Sequence, residues 1–99
     1  MHARVSTLQL EAAKIDDVVS QLEEREVPEW EQMDGFKGFT LMADRQSGKM
    51  VGVSFWESAD AMSASEEKIK ESRGRAAETG GASEEPTVDR FEVVIDTMA

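Results

Sequence analysis

With 99 residues and a formal net charge of −10, the chain has the size of one domain, residues 1–99, and too few clustered cations for nucleic acid or an anionic membrane surface. It contains no cysteine, and its one histidine, His2, lies at the N-terminus where we expect it to be solvated, so neither thiolate chemistry nor a metal site is expected. The first residues lack the features of a secretion signal and no apolar run approaches the roughly 20 residues of a membrane helix, so we predict a cytoplasmic protein.

The first third of the chain predicts a strand followed by a helix. Residues 3–10 (ARVSTLQL) mostly alternate between apolar and polar side chains, as strands do. From about residue 14 the spacing becomes helical, with an apolar stripe formed by Ile15, Val18, Val19 and Leu22. We expect Pro28 to bend or interrupt this helix, and Gly35 to end it after a further apolar turn that contains Trp30.

The rest of the chain predicts a hairpin, a second helix and a last strand. Residues 36–43 and 50–56 are typical of strands, and the polar loop between them contains Gly48, which allows a positive φ. Ser58 is a good N-cap for a helix that begins at Ala59, runs to about residue 78 and ends at Gly80-Gly81. The last strand is expected at residues 88–98.

This order, β-α-β-β-α-β, favours an α+β fold of the ferredoxin-like, split βαβ type, with two helices on one face of a four-stranded antiparallel sheet. The predicted strands are apolar on both sides. In the third strand, Val53 and Phe55 point one way and Met50 and Trp56 the other. Two helices cover only one face, and a bare apolar face of this size is unusual in a monomer. We therefore predict a homodimer that packs sheet against sheet, a dimeric α/β barrel.

A cavity is expected beneath the second helix, whose apolar stripe is thin. If even-numbered residues of the hairpin share the covered face, this face is formed by Phe36, Gly38, Thr40, Met42, Met50, Gly52, Ser54 and Trp56. Small and polar side chains in its middle would leave space for a ligand. Trp56 would wall one end, or else it is a core residue whose indole N–H bonds to a backbone carbonyl. The candidate substrate-binding residues are Phe36, Ser54, Trp56, Met62 and Arg73.

The charged residues admit two interpretations. Donors that could face the cavity are Arg4, Ser54, Trp56, Ser65, Ser72, Arg73 and Arg90. An arginine there could hold a phenolate or enolate through charge-assisted hydrogen bonds, or Arg73 and Arg90 could instead close surface ion pairs, with helix glutamates and with Glu92 respectively. An acidic run is expected to form a solvated helix face, and its members are Glu23, Glu24, Glu26, Glu29 and Glu31.

Three segments, GFKGFTLMAD, KMVGVSFWES and VDRFEVVIDT, together with the order of elements, resemble the antibiotic biosynthesis monooxygenase family of dimeric α/β-barrel proteins. The most recognisable pieces are Gly35-Phe36, Gly38, Trp56-Glu57-Ser58 and Phe91-Glu92-Val93. The resemblance implies a monooxygenase that acts on a small aromatic or polyketide-like molecule without metal, flavin or other cofactor. The alternative is a non-catalytic dimer of the same fold that binds a small hydrophobic ligand or a protein partner.

Two departures from the family bear on the chemistry. The haem-degrading branch has an asparagine on the first strand and a tryptophan and a histidine on the second helix. This chain has Ser6 and Thr7 on that strand, and its second helix contains neither residue, so haem is not expected. Tyrosine, a proton-transfer group for phenolic substrates, is absent from the sequence.

Overall fold

A computed structural model describes residues 1–98 of the chain. Four antiparallel strands form one sheet in the order β2-β3-β1-β4, and helices pack on one of its faces. The strands are β1 (His2–Gln9), β2 (Phe36–Ala43), β3 (Lys49–Trp56) and β4 (Thr87–Glu92). This is the expected α+β, ferredoxin-like arrangement, so the fold prediction is confirmed.

The first helical segment is continuous but irregular. A 3-10 turn (Ala12–Lys14) leads into α1 (Ile15–Gln21), then a π-helical turn (Leu22–Glu26), and finally α2 (Val27–Trp30). The irregularity expected at Pro28 therefore takes the form of a wider turn just before it, and the proline lies in the first turn of α2, where its missing N–H costs little. Gly35 follows at a φ of 79°, as the sequence predicts.

The second helical segment is divided in two, whereas the sequence predicts one helix. It consists of α3 (Ala59–Ala64) and α4 (Glu66–Thr79), and Ser58 caps α3 by accepting a hydrogen bond from the Ala61 N–H at 3.1 Å. The break lies at Ser65, whose hydroxyl donates to the Met62 carbonyl at 2.7 Å. A side chain that bonds to this carbonyl competes with the helical backbone, which explains the break.

The last strand is shorter than the sequence predicts. We expected residues 88–98, but β4 ends at Glu92, which lies opposite His2 at the start of β1. Beyond this point β1 offers almost nothing to pair with, and the Val93 N–H bonds to the Met1 carbonyl at 2.9 Å. Residues 94–98 continue past the sheet, and Val94, Ile95 and Met98 are each about 80% exposed.

Helices cover one face of the sheet, whereas the other face is uncovered in residues 1–98. The helices pack over a core that includes Leu8, Met50 and Trp56. No element within residues 1–98 packs over the opposite face, where the strand pattern places Val53, Phe55 and the half-exposed Phe91. None of the helices in this part of the chain is long and apolar enough to cross a membrane.

A β-bulge between Phe36 and Gly38 changes which residues of β2 face the helices. Phe36 lies opposite Trp56, but after the bulge the residues opposite Ser54 and Gly52 are Phe39 and Leu41. The prediction for this face is therefore correct for the even-numbered residues of β3 and wrong in β2 beyond Phe36, where Gly38, Thr40 and Met42 lie on the other side. An extra residue in one strand turns every following side chain to the other side.

Candidate functional site

A partly open cavity of about 50 Å³ lies between the covered face of the sheet and the helices α2 and α4. The strands β1, β2 and β3 contribute to its floor, and apolar side chains dominate its walls. The lining consists of Ser6, Leu8, Leu22, Trp30, Phe39, Leu41, Met50, Gly52, Ser54, Ile69, Arg73 and Ala76. A cavity under the second helical segment is thus present, but with a different lining from the one expected.

Two aromatic rings form one wall of the cavity. Trp30 and Phe39 pack edge to face, with ring centroids 4.9 Å apart and an interplanar angle of 74°. Gly52 makes room for this arrangement, because a Cβ there would lie 3.2 Å from two carbons of the Phe39 ring. The result is a wall of aromatic surface suited to a planar apolar molecule.

A buried polar network holds Trp30 in place. Its indole N–H donates to the Ser72 hydroxyl at 3.3 Å, and this hydroxyl donates to the Glu26 carboxylate at 2.7 Å. Arg75 donates to the same carboxylate from Nε and Nη2 at 2.7 and 2.8 Å. The Arg75 hydrogen bonds lower the pKa of Glu26, with a smaller contribution from Ser72, although burial acts in the opposite direction.

Glu26 corrects the prediction that the acidic run is wholly solvated, since only 3% of it is exposed. The other four glutamates of the run are exposed, as expected. The π-helical turn in which Glu26 lies alters the angular position of its side chain relative to a regular α-helix. Regular helical periodicity therefore does not predict the burial of Glu26.

The polar end of the cavity is formed by Ser6, Ser54 and Arg73. Arg73 donates from Nε to the Ser6 hydroxyl at 3.1 Å, while its Nη2 is shielded from solvent and bonds to nothing in residues 1–98. Burial lowers the pKa of Arg73, which nevertheless remains a cation at neutral pH. Across the described residues no carboxylate lies within ion-pair distance of it, so the surface ion pair considered for Arg73 is not formed.

Arg4 lies beside this end of the cavity and is 1% exposed. Its Nη2 donates to the Met62 carbonyl at 2.6 Å and to the Ser65 hydroxyl at 3.2 Å. The same atom lies 2.9 Å from the Glu66 carboxylate, and the guanidinium lies 5.9 Å from the centre of the Trp56 ring. Its Nε and Nη1 are buried without a partner in the described part of the chain.

Glu66 is shared between two arginines. Arg90 Nη2 lies 2.7 Å from it, so Arg90 pairs with Glu66 on α4 and not with Glu92 on its own strand. Burial would raise the pKa of Glu66, but the bond from Arg90 and the charges of Arg4, Arg90 and Arg73 outweigh it and lower that pKa. Glu66 is therefore ionised at neutral pH.

The structure separates the five candidate substrate-binding residues into two groups. Ser54 and Arg73 line the cavity, whereas Phe36, Trp56 and Met62 form a cluster next to it. Trp56 is fully buried and donates to the Ser54 hydroxyl at 2.9 Å, not to a backbone carbonyl, and the Phe36 ring packs edge-on against it at 5.4 Å. Contact between these five residues and a ligand stays a prediction.

The sequence reasoning missed the aromatic wall and misplaced the histidine. The sequence pattern places Trp30 only in an apolar turn. With even-numbered hairpin residues on the covered face, it places Phe39 on the opposite face, because the pattern gives no strong sign of the bulge. His2 is not solvated on a free terminus, since it lies in β1, half-buried, between Trp56 and Glu92.

Comparisons of sequence place the chain among known proteins. Residues 1–68 match the family model described as antibiotic biosynthesis monooxygenase. The uncharacterized protein Rv2557 of Mycobacterium tuberculosis is 37% identical over 93 residues, which are 94% of this chain and 41% of that protein. The uncharacterized protein Rv2558 of the same organism is 34% identical over 77 residues, which are 78% of this chain and 33% of that protein. The chain thus spans less than half the length of these relatives.

Solved structures share the fold. A monooxygenase from the gene ActVA-Orf6 of Streptomyces coelicolor, in complex with nanaomycin D, is similar with a TM-score of 0.80 and 17% identity, covering 99% of this chain and 91% of that one. The haem degrader MhuD of Mycobacterium tuberculosis, with two haems in its active site, is similar with a TM-score of 0.75 and 23% identity, covering 99% of this chain and 100% of that one. At these identities the likeness concerns the fold alone.

Proposed function

The chain belongs to the antibiotic biosynthesis monooxygenase family, and from this premise we propose that it oxidises a small aromatic or polyketide-like molecule with molecular oxygen, without a metal or an organic cofactor. The substrate would lie in the cavity between the sheet and the helices. The observation that carries this proposal is the pairing of an edge-to-face aromatic wall, Trp30 and Phe39, with a single cation, Arg73, in one cavity.

The proposed reaction needs no external reductant. A substrate CH2 group beside an ionised oxygen would lose four electrons in total to O2. One oxygen atom would enter the product as a carbonyl, and the other would take up the two hydrogens of the CH2 group and leave as water. The chain would contribute orientation by the aromatic wall, exclusion of water and electrostatic stabilisation of the substrate anion by Arg73. Since about 50 Å³ is smaller than the roughly 300–1,000 Å³ of common ligand sites, a bicyclic substrate would require the cavity to widen.

A homodimer forms the second part of the proposal. The apolar face of the sheet that no element of residues 1–98 covers would pack against the same face of a second copy. Residues 93–98 fit this assembly, because the exposed side chains of Val94, Ile95 and Met98 need apolar cover. Each copy would keep its own cavity on the other side of the sheet.

A non-catalytic ligand-binding protein is the second candidate, and the cavity lining itself favours it. None of the twelve lining residues is an aspartate, a glutamate, a histidine or a tyrosine. The described lining therefore contains no general base for a substrate that arrives protonated.

Oxygen uptake by metal-stripped protein, measured with a panel of anthrone- and quinol-type compounds, separates the two candidates. For an oxygenase we expect uptake of one O2 per product molecule. Replacing Arg73 with Gln should reduce the rate at least about tenfold, because a charge-assisted hydrogen bond is lost. The matched control is Arg25→Gln, which replaces an exposed arginine outside the cavity. Ligand binding by wild-type protein without oxygen uptake across the panel would reject the oxygenase and support the binding protein.

A further inference from the structure

The charges at the polar end of the cavity do not balance. Three guanidinium groups, those of Arg4, Arg73 and Arg90, lie around the single carboxylate of Glu66. Arg4 and Arg90 contact this carboxylate directly, and the charge of Arg73 also lowers the pKa of Glu66. One negative charge against three positive charges leaves an excess of two cations in a partly buried region.

Most of the uncompensated positive charge lies on Arg73. Glu66 contacts Arg4 at 2.9 Å and Arg90 at 2.7 Å, whereas the hydrogen-bond partner of Arg73 is a neutral hydroxyl, that of Ser6. Arg90 is also half exposed to water, which screens its charge. Arg73 lines the cavity and therefore presents the least compensated charge directly to whatever occupies it.

A buried hydrogen-bond donor without an acceptor also favours an anionic ligand. Nη2 of Arg73 is shielded from solvent and has no partner among residues 1–98. This atom belongs to a side chain that lines the cavity, so an acceptor for it can come from a ligand bound there. Buried donors of a cation that lack an acceptor are costly, and an oxyanion is the group that satisfies them best.

We propose that the cavity selects planar apolar molecules that carry one negatively charged oxygen group, either a carboxylate or an ionised hydroxyl, and that Arg73 binds this group through Nη2. Ser6 positions the guanidinium by accepting from Nε, and Glu66 holds Arg4 and Arg90 so that they contribute a positive field without competing for the ligand. This inference rests on the proposed function only in placing the ligand in the same cavity. It also explains how a cavity whose lining contains no general base could support the proposed oxidation, since the ligand arrives already ionised.

Calorimetric titration at low salt with matched pairs of probes tests the proposal. One pair is 2-naphthoate with the neutral 2-naphthamide, and the other is ionised 2-hydroxy-1,4-naphthoquinone with its neutral methyl ether. For the wild-type protein we expect at least one charged probe to bind about tenfold or more tightly than its neutral counterpart. The pair that shows the larger ratio identifies a carboxylate or an ionised hydroxyl as the preferred group.

Substitutions of Arg73 test whether the preference for charged probes depends on this residue. Arg73→Gln should bring the ratio of affinities close to one, Arg73→Lys should retain part of it, and the control Arg25→Gln should leave it unchanged. Equal binding of charged and neutral probes by the wild-type protein would overturn the proposal. So would an unchanged ratio in Arg73→Gln, or a folded wild-type protein that binds none of the four probes.

The outcome is independent of turnover. A charge preference that depends on Arg73, combined with no oxygen uptake, would reject the oxygenase and leave the anion site standing. Oxygen uptake from neutral substrates without any charge preference would reject the anion site and leave the oxygenase standing.

Discussion

Arg75 on α4 and Glu26 in the π-helical turn form a two-point contact, in which Nε and Nη2 of the arginine donate to the carboxylate at 2.7 and 2.8 Å. The contact joins the two helical segments that cover the sheet. Through Ser72 it extends to the indole of Trp30, so the orientation of one cavity wall depends on an ion pair outside the cavity.

The two partners of this pair should contribute unequally when each is removed. Glu26→Gln leaves Arg75 near the surface, where water can solvate it, so we expect a loss of about 1–2 kcal/mol in the free energy of unfolding. Arg75→Gln leaves a buried carboxylate without its cation, and its loss should be larger. Urea denaturation measures the two losses. The control is Arg45→Gln, which removes the exposed ion pair with Asp16 and should have no measurable effect on stability. Equal losses in the two variants would contradict this account.

The same pair should make stability depend on pH. Because the pKa of Glu26 is lowered in the folded protein, mainly by Arg75, its contribution is present above the ordinary glutamate value of 4.5 and is lost as the pH falls through the lowered pKa. The stability difference between wild type and Glu26→Gln should stay constant from about pH 7 to pH 5 and shrink below about pH 4.5. Denaturation at a series of pH values measures it, and a difference that persists unchanged to about pH 3 would contradict the assignment.

Gly74 offers a stabilising substitution. It lies inside α4, and a Cβ there would meet no atom within 4 Å. Gly74→Ala should therefore raise the free energy of unfolding by about 0.5–1 kcal/mol, because alanine loses less backbone entropy on folding. Gly81→Ala is the opposite control, since its φ of 65° and the adjacent Glu11 side chain disfavour a Cβ. Thermal unfolding ranks the two variants, and a destabilised Gly74→Ala would show that this part of α4 is not a regular helix.

Gly52 tests the shape of the aromatic wall. In Gly52→Ala the new Cβ would press on the Phe39 ring from 3.2 Å and drive it towards Trp30 and the cavity. We expect a loss of about 1 kcal/mol in stability from overpacking, together with weaker binding of the naphthoate probe. Gly38→Ala, a strand glycine with open space around its Cβ, is the matched control. Unchanged probe affinity in Gly52→Ala would show that the probe does not bind in this cavity.

The proposed dimer predicts a specific change in mass. Phe91→Glu places a charge on the uncovered sheet face, where burial without a partner is unfavourable, and should shift the protein towards the 11.0 kDa monomer. Ser63→Glu adds the same charge on exposed α3 and should leave the assembly intact. Sedimentation velocity at micromolar concentration distinguishes the two. A wild-type chain that sediments only as the 11.0 kDa species would falsify the dimer.

Local signals in the sequence were sufficient for the elements and their order. The periodic apolar residues of α1, the cap at Ser58 and the positive φ of Gly48 are confirmed, because each depends on residues within a few positions along the chain. The family resemblance is also confirmed, since its segments follow these elements. Ser54 and Arg73, two of the residues predicted to bind a substrate, line the cavity, and their contact with a ligand stays a prediction.

Only the tertiary structure decided which side chains meet. A single bulge turned Phe39 inwards, a π-helical turn brought Glu26 to Arg75, and the start of β1 at His2 set the end of β4 at Glu92. Each outcome depends on a partner far away in the sequence, and the competing local patterns differ little in energy. Periodicity alone therefore cannot choose between them, whereas burial against a particular neighbour can.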